Sequence, residues 1–343
     1  MHPLEKEILT SIREDCLIGT GEKIVIGVSA GSDSMALLHV LSTLRTELDV
    51  ELVAVYVDHG LRPDETPLEA ELVVQQVKKL GVGVRIGKVD VQEESSKRKI
   101  SLEHSARDLR YEFLDEVAKE MGASKIAVAH TADDQAEEVL LRLIRGTGRA
   151  GLSGMKAMRD GVVIRPFLNT SKENLLSYLC DKKIPSLEDS SNRDTVYLRN
   201  RIRLEVIPFL SEINPNISEV LRQTASVLQD EEVILSQKTE QAWTDGVATF
   251  GESSCPDSLR AISISLHNFL ALKRGIQRRI IEKVFVEMSS QPQFKKIASV
   301  LSVAAAGETG AHLHFSKGLR MKKGKDHLLF SYPQGVISKR GNL

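Results

Sequence analysis

Cysteine is scarce in this chain. Cys16, Cys180 and Cys255 are the only three in 343 residues, and no two of them form a Cys-x-x-Cys pair. That argues against a disulfide framework, a zinc site or an iron–sulfur cluster, and makes a reducing cytoplasm the expected setting. An excess of charge is also missing: 46 Lys and Arg against 47 Asp and Glu leave a formal net charge of −1. No global basic surplus therefore advertises nucleic acid, although a local patch depends on where the charges sit. No apolar run approaches the length of a membrane span, and the start, Met1-His-Pro-Leu-Glu-Lys6, lacks a secretory pattern. No internal repeat or low-complexity segment occurs. What remains is ordinary for a soluble globular protein, with 41% hydrophobic and 27% charged residues, and enough length for two domains.

The first half alternates two periodicities. Apolar, β-branched runs at residues 24–28, 52–57, 82–89, 126–129 and 162–164 read as strands, and helical patterns fill 35–48, 67–80, 102–121 and 133–144. Such alternation predicts an α/β fold with a mostly parallel sheet covered on both faces, and ligands at the carboxyl ends of its strands. After Gly146 the texture changes, with Gly148, Gly151 and Gly154 marking a loop-rich stretch that Arg165-Pro166 closes. A long helix is expected from about residue 216, with Leu221, Leu228, Leu235 and Ala242 on one face. Further helical patterns at 266–288 and 294–305 and a short β tail at 312–315 and 327–331 predict a smaller, mainly helical second domain. The expected division is 1–210 and 211–343.

The segment Lys23-Ile-Val-Ile-Gly-Val-Ser-Ala-Gly-Ser-Asp-Ser34 is a strand, a loop of small residues and a helix start. Unpaired N–H groups and the positive dipole end at such a helix start make a phosphate cradle of Ser29, Ala30, Gly31, Ser32, Asp33 and Ser34. It is neither a Walker loop, for want of Gly-Lys-Ser/Thr, nor a dinucleotide fingerprint. The plain alternative is an ordinary βα turn with Ser29 or Ser32 as helix cap. A methyl group at Ala30 is compatible with a cradle only at negative φ, with its Cβ turned away from the phosphates.

His130-Thr-Ala-Asp-Asp-Gln-Ala-Glu137 follows another strand and opens a helix. Thr131 and Asp134 can cap that helix, which accounts for Asp134 and partly for Asp133. Capping calls for neither His130 at the strand end nor Glu137 one turn on. Asp133, Asp134 and Glu137 cluster on one side of the helix, a set able to hold Mg²⁺ or grip an amine. Asp58 and His59 of Val57-Asp-His-Gly-Leu-Arg62 stand at a third strand end, as a ligand-facing loop or a plain polar exit. Arg107, Arg110 and Tyr111 lie within about one helical turn. Arg199 and Arg203, in the polar stretch 188–203, share a helical face, suited to phosphates or to a solvated linker.

In that order, the cradle, Val-Asp-His-Gly-Leu-Arg, Ala-Arg-x-x-Arg-Tyr, His-x-x-Asp-Asp-Gln-x-Glu, Arg-Gly-x-Gly, Arg-Pro and Arg-Asn-x-Ile-Arg, the chain resembles the bacterial tRNA(Ile)-lysidine synthetases. These belong to the N-type ATP pyrophosphatases, or PP-loop enzymes. The match spans about residues 20–210 and departs at Ala30 and at Glu138, where a threonine is usual. The resemblance implies a Rossmann-like PP-loop domain and a helical substrate domain, in the short form without a further C-terminal domain. It implies ATP-dependent ligation of free L-lysine to the wobble cytidine of an isoleucine tRNA with a CAU anticodon. Ser29–Ser34 would cradle phosphates, with Asp58 and His59 also at the nucleotide. Asp33 and Asp134 would position Mg²⁺. Asp133, Asp134 and Glu137 would hold metal or the lysine amine, with His130 and Asp33 among the catalytic groups. Arg107, Arg110 and Arg203 would meet ATP phosphates or the tRNA backbone. Lys273, Arg274, Arg278, Arg279, Lys317, Arg320, Lys322, Lys323 and Lys325 would face tRNA, and a homodimer is expected. The alternatives are a cytidine thiolase or a metabolite-amidating ligase of the same superfamily.

Overall fold

The computed structural model describes residues 1–61, 66–187, 195–251 and 261–332. Arg62, Cys255 and residues 188–194, which the sequence reading touches, lie outside them. β1 (Lys23–Gly27) and β2 (Glu51–Asp58) are apolar on both faces, as strands covered by helices on both sides must be. They pair in parallel with Ile24 opposite Leu52 and Ile26 opposite Ala54. β3 (Gly83–Lys88), β4 (Lys125–Ala127) and β6 (Val163–Ile164) extend the parallel sheet, and β5 (Met158–Arg159) adds one antiparallel edge strand. The order is β3-β2-β1-β4-β6-β5, so β1 and β4, which lead into the two acidic motifs, are neighbours.

The covering helices are α1 (Pro3–Glu14), α2 (Ser32–Leu48), α3 (Thr66–Leu80), α4 (Val91–Arg98), α5 (Leu102–Met121), α6 (Ala132–Arg145), α7 (Arg149–Leu152) and α8 (Lys172–Lys182). Alternate residues of β1 divide between two cores. Ile24 and Ile26 pack with Ile8 and Ile12 of α1 and with Leu37 and Leu41 of α2, whereas Val25 joins Leu114 and Val117 of α5. Each fully buried leucine of α2 contributes roughly 1.5–3 kcal/mol. On the α5 side a Cβ at Gly87 would sit 2.3 Å from the Phe113 ring, so any larger residue there forces that ring to move. Beyond α8 come α9 (Leu198–Arg201), a wide π-type turn over Ile202–Val206, α10 (Ile207–Ile213) and α11 (Ile217–Ala242). Compact units divide at Gln229/Asp230, inside α11, whereas the sequence reading placed the division at 210/211. Every strand and helix expected before residue 146 is present, with α1 and α4 additional there, and α7, α8, α9 and α10 are additional between residues 146 and 216. No helix among the described residues is long and apolar enough to cross a membrane.

The second unit differs from a helical domain with a β tail. β7 (Ala248–Gly251), β8 (Ala261–Ser265), β9 (His312–His314), β10 (Arg320–Lys323) and β11 (His327–Ser331) form an antiparallel sheet in the order β7-β8-β11-β10-β9. Ile262, Ile264, Met321, Leu328 and Phe330 face a core shared with α12 (Leu266–Ala271), α13 (Arg274–Glu287) and α14 (Phe294–Ala306). The pattern at 266–288 breaks into two helices because Leu272 is extended. The Gln277 amide donates to the Phe269, Leu270 and Leu272 carbonyls at the break. Lys323 corrects a second expectation. It is buried, and its Nζ donates to the carbonyls of Val303 (3.1 Å), Ala304 (2.9 Å) and Gly307 (2.9 Å). It therefore caps α14 rather than facing a partner.

One buried carboxylate fastens the N-terminus. The Glu5 side chain, 0% exposed, accepts from His2 N (2.7 Å) and Tyr178 Oη (3.0 Å), and pairs with Lys182 Nζ at 3.1 Å. Burial favours the protonated acid, but those donors outweigh it and hold the Glu5 pKa below its ordinary value. The stabilisation is therefore present above the unfolded-state pKa of about 4.3 and lost as pH falls through the folded-state value. Glu5→Ala should cost roughly 3 kcal/mol in urea unfolding at pH 7, with the deficit shrinking in acid. A pH-independent deficit would contradict this assignment.

Candidate functional site

The loop after β1 is built around Ser34. Its hydroxyl donates to Ser29 O (2.6 Å) and lies 3.0 Å from both Ser29 N and Ser29 Oγ, so helix start and loop are tied together. Gly31, extended at φ −67°, is the residue before α2 and makes no side-chain cap. The first helical N–H groups are thus left without a capping side chain, as an anion cradle requires. Ala30 is buried, lies outside the positive-φ residues and accepts from Leu187 N at 2.8 Å. Its methyl group points into the protein, so the departure from glycine leaves the loop intact. Asp33 follows in the first turn of α2. Burial pushes its carboxyl above the ordinary range, reinforced by Asp134 and opposed by Lys172, the Ser32 hydroxyl and Arg203.

α6 opens with a reciprocal cap: Thr131 N donates to Asp134 Oδ2 (2.8 Å) and Asp134 N to Thr131 Oγ1 (3.3 Å). This cap contributes about 1 kcal/mol. The plain reading of Asp134 is therefore correct as far as it goes, but it uses one oxygen. The other, Oδ1, accepts from Arg199 Nη2 (3.1 Å) and Arg203 Nη2 (3.4 Å). Glu137, its side chain 2% exposed, takes Arg203 Nε on Oε1 (2.5 Å), and both Arg199 Nε and Arg203 Nη2 on Oε2 at 3.0 Å. Two carboxylates thus face two guanidiniums, and Arg199 Nη1 also reaches Glu138 at 3.6 Å. Burial opposes ionisation of Asp134, but Arg199 and the other donors win and lower its pKa.

Asp33, Asp133, Asp134, Glu137, Lys172 and Arg203 line one small cleft. Asp133 accepts from Lys172 N at 2.7 Å, which fixes the start of α8 beside it. Lys172 carried no sequence signal, because its place depends on a loop crossing back from β6. The Mg²⁺ candidates differ in fit. Asp33 Oδ1 accepts from the Ser32 hydroxyl (3.1 Å) and Oδ2 has no protein partner among the described residues, whereas both Asp134 oxygens are taken. No group of three or more potential metal ligands occurs among the described residues. The fit is to Mg²⁺ arriving with phosphates and held by one carboxylate.

A third group gathers beside the acidic centre. Guanidinium carbons of Arg159, Arg107 and Arg110 lie 4.7, 5.3 and 5.8 Å from the Tyr111 ring centre. Buried Arg165, just after β6, donates from Nε to His130 Nδ1 (3.1 Å) and from Nη1 to Lys156 O (2.7 Å). No carboxylate pairs with Arg107, Arg110 or Arg165 among the described residues. Arg159 and Arg165 were not read as site residues. Burial pushes the His130 pKa down to about 3, with Asp134 opposing and Arg165, Arg107 and Arg110 reinforcing. His130 is therefore neutral and, with Nδ1 accepting, carries its proton on Nε2. Asp58 and His59 are not brought into the acidic cleft. Asp58 Oδ1 closes the turn after β2 on Gly60 N (2.7 Å).

The chain is similar to known proteins. The PP-loop domain family matches residues 2–210. Over 321 residues, 92% of this chain and 66% of the relative, the chain is 33% identical to the tRNA(Ile)-lysidine synthase of Clostridium perfringens. It is 28% identical to that of Clostridioides difficile (95% of this chain, 70% of the relative) and 38% identical to that of Porphyromonas gingivalis (69% and 52%). The chain thus spans about two thirds of the length of the curated relatives matched along most of it. Among solved structures, the U34-tRNA thiolase NcsA of Methanococcus maripaludis, with its [4Fe–4S] cluster, is similar at a TM-score of 0.55 and 17% identity. That likeness covers 65% of this chain and 79% of that one, and speaks to the fold alone.

A histidine held neutral by burial should not titrate near pH 6.5. In NMR spectra of ring-labelled protein the His130 resonances should stay unchanged from pH 8 to pH 5. A midpoint near 6.5 would contradict the buried, Arg165-bound imidazole.

Proposed function

The chain belongs to the PP-loop domain family, a family of ATP-using domains, and from that premise we propose that it is a cytoplasmic tRNA(Ile)-lysidine synthetase, joining L-lysine to C2 of the wobble cytidine of an isoleucine tRNA with a CAU anticodon. The observation that carries this reading is that Asp33, at the helix start of the Ser29–Ser34 loop, lines one cleft with the Asp134–Glu137 carboxylate pair. A phosphate-using ligase that takes an amine needs both.

In the first step the cytosine O2 attacks the α-phosphate of ATP, and the bond to the β-phosphate breaks to release pyrophosphate. In the second, the lysine ε-nitrogen attacks C2, the C2–O bond breaks and AMP leaves, while the amine gives up a proton. The cradle N–H groups and the α2 dipole stabilise the departing pyrophosphate. Mg²⁺ held by Asp33 would supply further neutralisation there. Asp134 and Glu137 hold the ammonium, and Asp133 at the cleft mouth is placed to accept the proton. Arg107 and Arg110, which pair with no carboxylate among the described residues, offer cations to a phosphodiester flanking the extruded base, with Arg159, paired to Asp160 at 3.6 Å, beside them. His130 positions Arg165 and moves no proton.

The second unit supports an RNA partner through its sheet. The exposed positions of β9, β10 and β11 carry His312, His314, Arg320, Lys322 and His327, and no carboxylate stands on those strands. A basic sheet face suits a phosphate backbone.

ATP cleavage provides the test. Pyrophosphate should form only when isoleucine tRNA is present and AMP only when lysine is supplied as well, and Asp33→Ala should reduce the rate of AMP release by at least about 100-fold. Turnover without tRNA would point instead to a metabolite-amidating ligase.

A further inference from the structure

The amine-binding carboxylates are already occupied by the chain's own cations, and the way they are occupied links the two small substrates. Both oxygens of Glu137 and Oδ1 of Asp134 accept from Arg199 and Arg203, and Oδ2 of Asp134 accepts from the Thr131 cap. An incoming ammonium finds every oxygen of this pair already accepting from the chain itself. The charge of this pair is also already met, since its two carboxylates face two guanidiniums. Binding it without displacement would leave one buried cation unpaired. One arginine must therefore leave.

The two arginines are not equivalent. Arg199 is 19% exposed and has a third carboxylate, Glu138, at 3.6 Å. Arg203 is 30% exposed, lines the cleft beside Asp33 and Lys172, and feels the Asp33 charge. It projects from the π-type turn Ile202–Val206, a geometry frequent at functional sites. The cleft that Arg203 borders runs to the start of α2, where the phosphates would sit. A polyphosphate there offers Arg203 a stronger anionic partner than a shared carboxylate.

Resting on the lysidine-synthetase reading, we infer that Arg203 is an exchangeable counter-ion: ATP draws it from Glu137 to phosphate, and the carboxylate oxygen it leaves takes the lysine ε-ammonium. Arg199 stays and keeps the remaining cluster compensated. ATP and lysine then bind with positive coupling, and by linkage lysine tightens ATP by the same factor. Arg203 also ensures that a free amine is not gripped before the adenylating nucleotide is in place.

The experiment measures equilibrium binding of radiolabelled L-lysine to the full chain, with and without saturating α,β-methylene-ATP and Mg²⁺, in the absence of tRNA. Wild-type protein should bind lysine at least about 5-fold more tightly with the nucleotide. Arg203→Gln should bind lysine equally with and without nucleotide, at an affinity above that of nucleotide-free wild type, while Arg203→Lys should retain part of the coupling. If wild type binds both ligands with no mutual effect, the exchange is overturned while the lysine reading stands. If lysine fails to bind in either state although the nucleotide binds, the lysine reading falls and the exchange with it. The wild-type comparison decides the matter even where Arg203→Gln fails to fold.

Discussion

The site rests on one buried ion cluster, Asp134 and Glu137 against Arg199 and Arg203. Its contacts join the first turns of α6 to the α9 and π-turn segment, two pieces of chain more than 60 residues apart in sequence. Removing one charge would leave its partners uncompensated in a poorly solvated place, a loss of about 3–5 kcal/mol. The same pairings that fix the cleft wall thus hold the Asp134 carboxyl below its ordinary pKa. A hydrophobic contact could hold the wall equally well, but it could not present charge to a substrate.

Around that cluster the charges fall into an order along the carboxyl edge of the sheet. The cradle after β1 offers N–H groups and a helix dipole. The exit of β4 offers carboxylates, and the region after β6, with α5, offers guanidiniums around Tyr111 and neutral His130. A negative centre between two anion-seeking stations suits a reaction in which an amine meets a base activated by a nucleotide. Neutral His130 fits this division, because an imidazolium beside Arg107, Arg110 and Arg165 would add a further cation to a crowded positive group.

Much of this was legible in the sequence because it is local. The strand and helix periods of the first half, the small-residue loop and the Thr131–Asp134 cap each depend on residues a few positions apart. The negative φ required of Ala30 followed from its Cβ alone. What was not legible depends on chain return. Lys172 reaches the cleft because a loop from β6 brings α8 back to Asp133, and Arg159 and Arg165 join Tyr111 across the sheet edge. Arg199 and Arg203 were visible as a pair on one face, but the partners they neutralise were not. In the second unit, β7, β8 and β10 are only four or five residues long, too short for their pattern to mark a strand, and buried Lys323 was indistinguishable by type from the exposed Lys322 beside it.

The central claim is that the carboxylate pair and the cradle together adenylate a base and deliver an amine to it. It is tested most directly by mass spectrometry of nucleosides from isoleucine tRNA after incubation with the chain, ATP, Mg²⁺ and lysine. The account predicts that the wobble cytidine gains the mass of lysine less one water, and only when ATP and lysine are both supplied. Sulfur in place of that addition, or an unchanged cytidine while ATP is consumed, would contradict it.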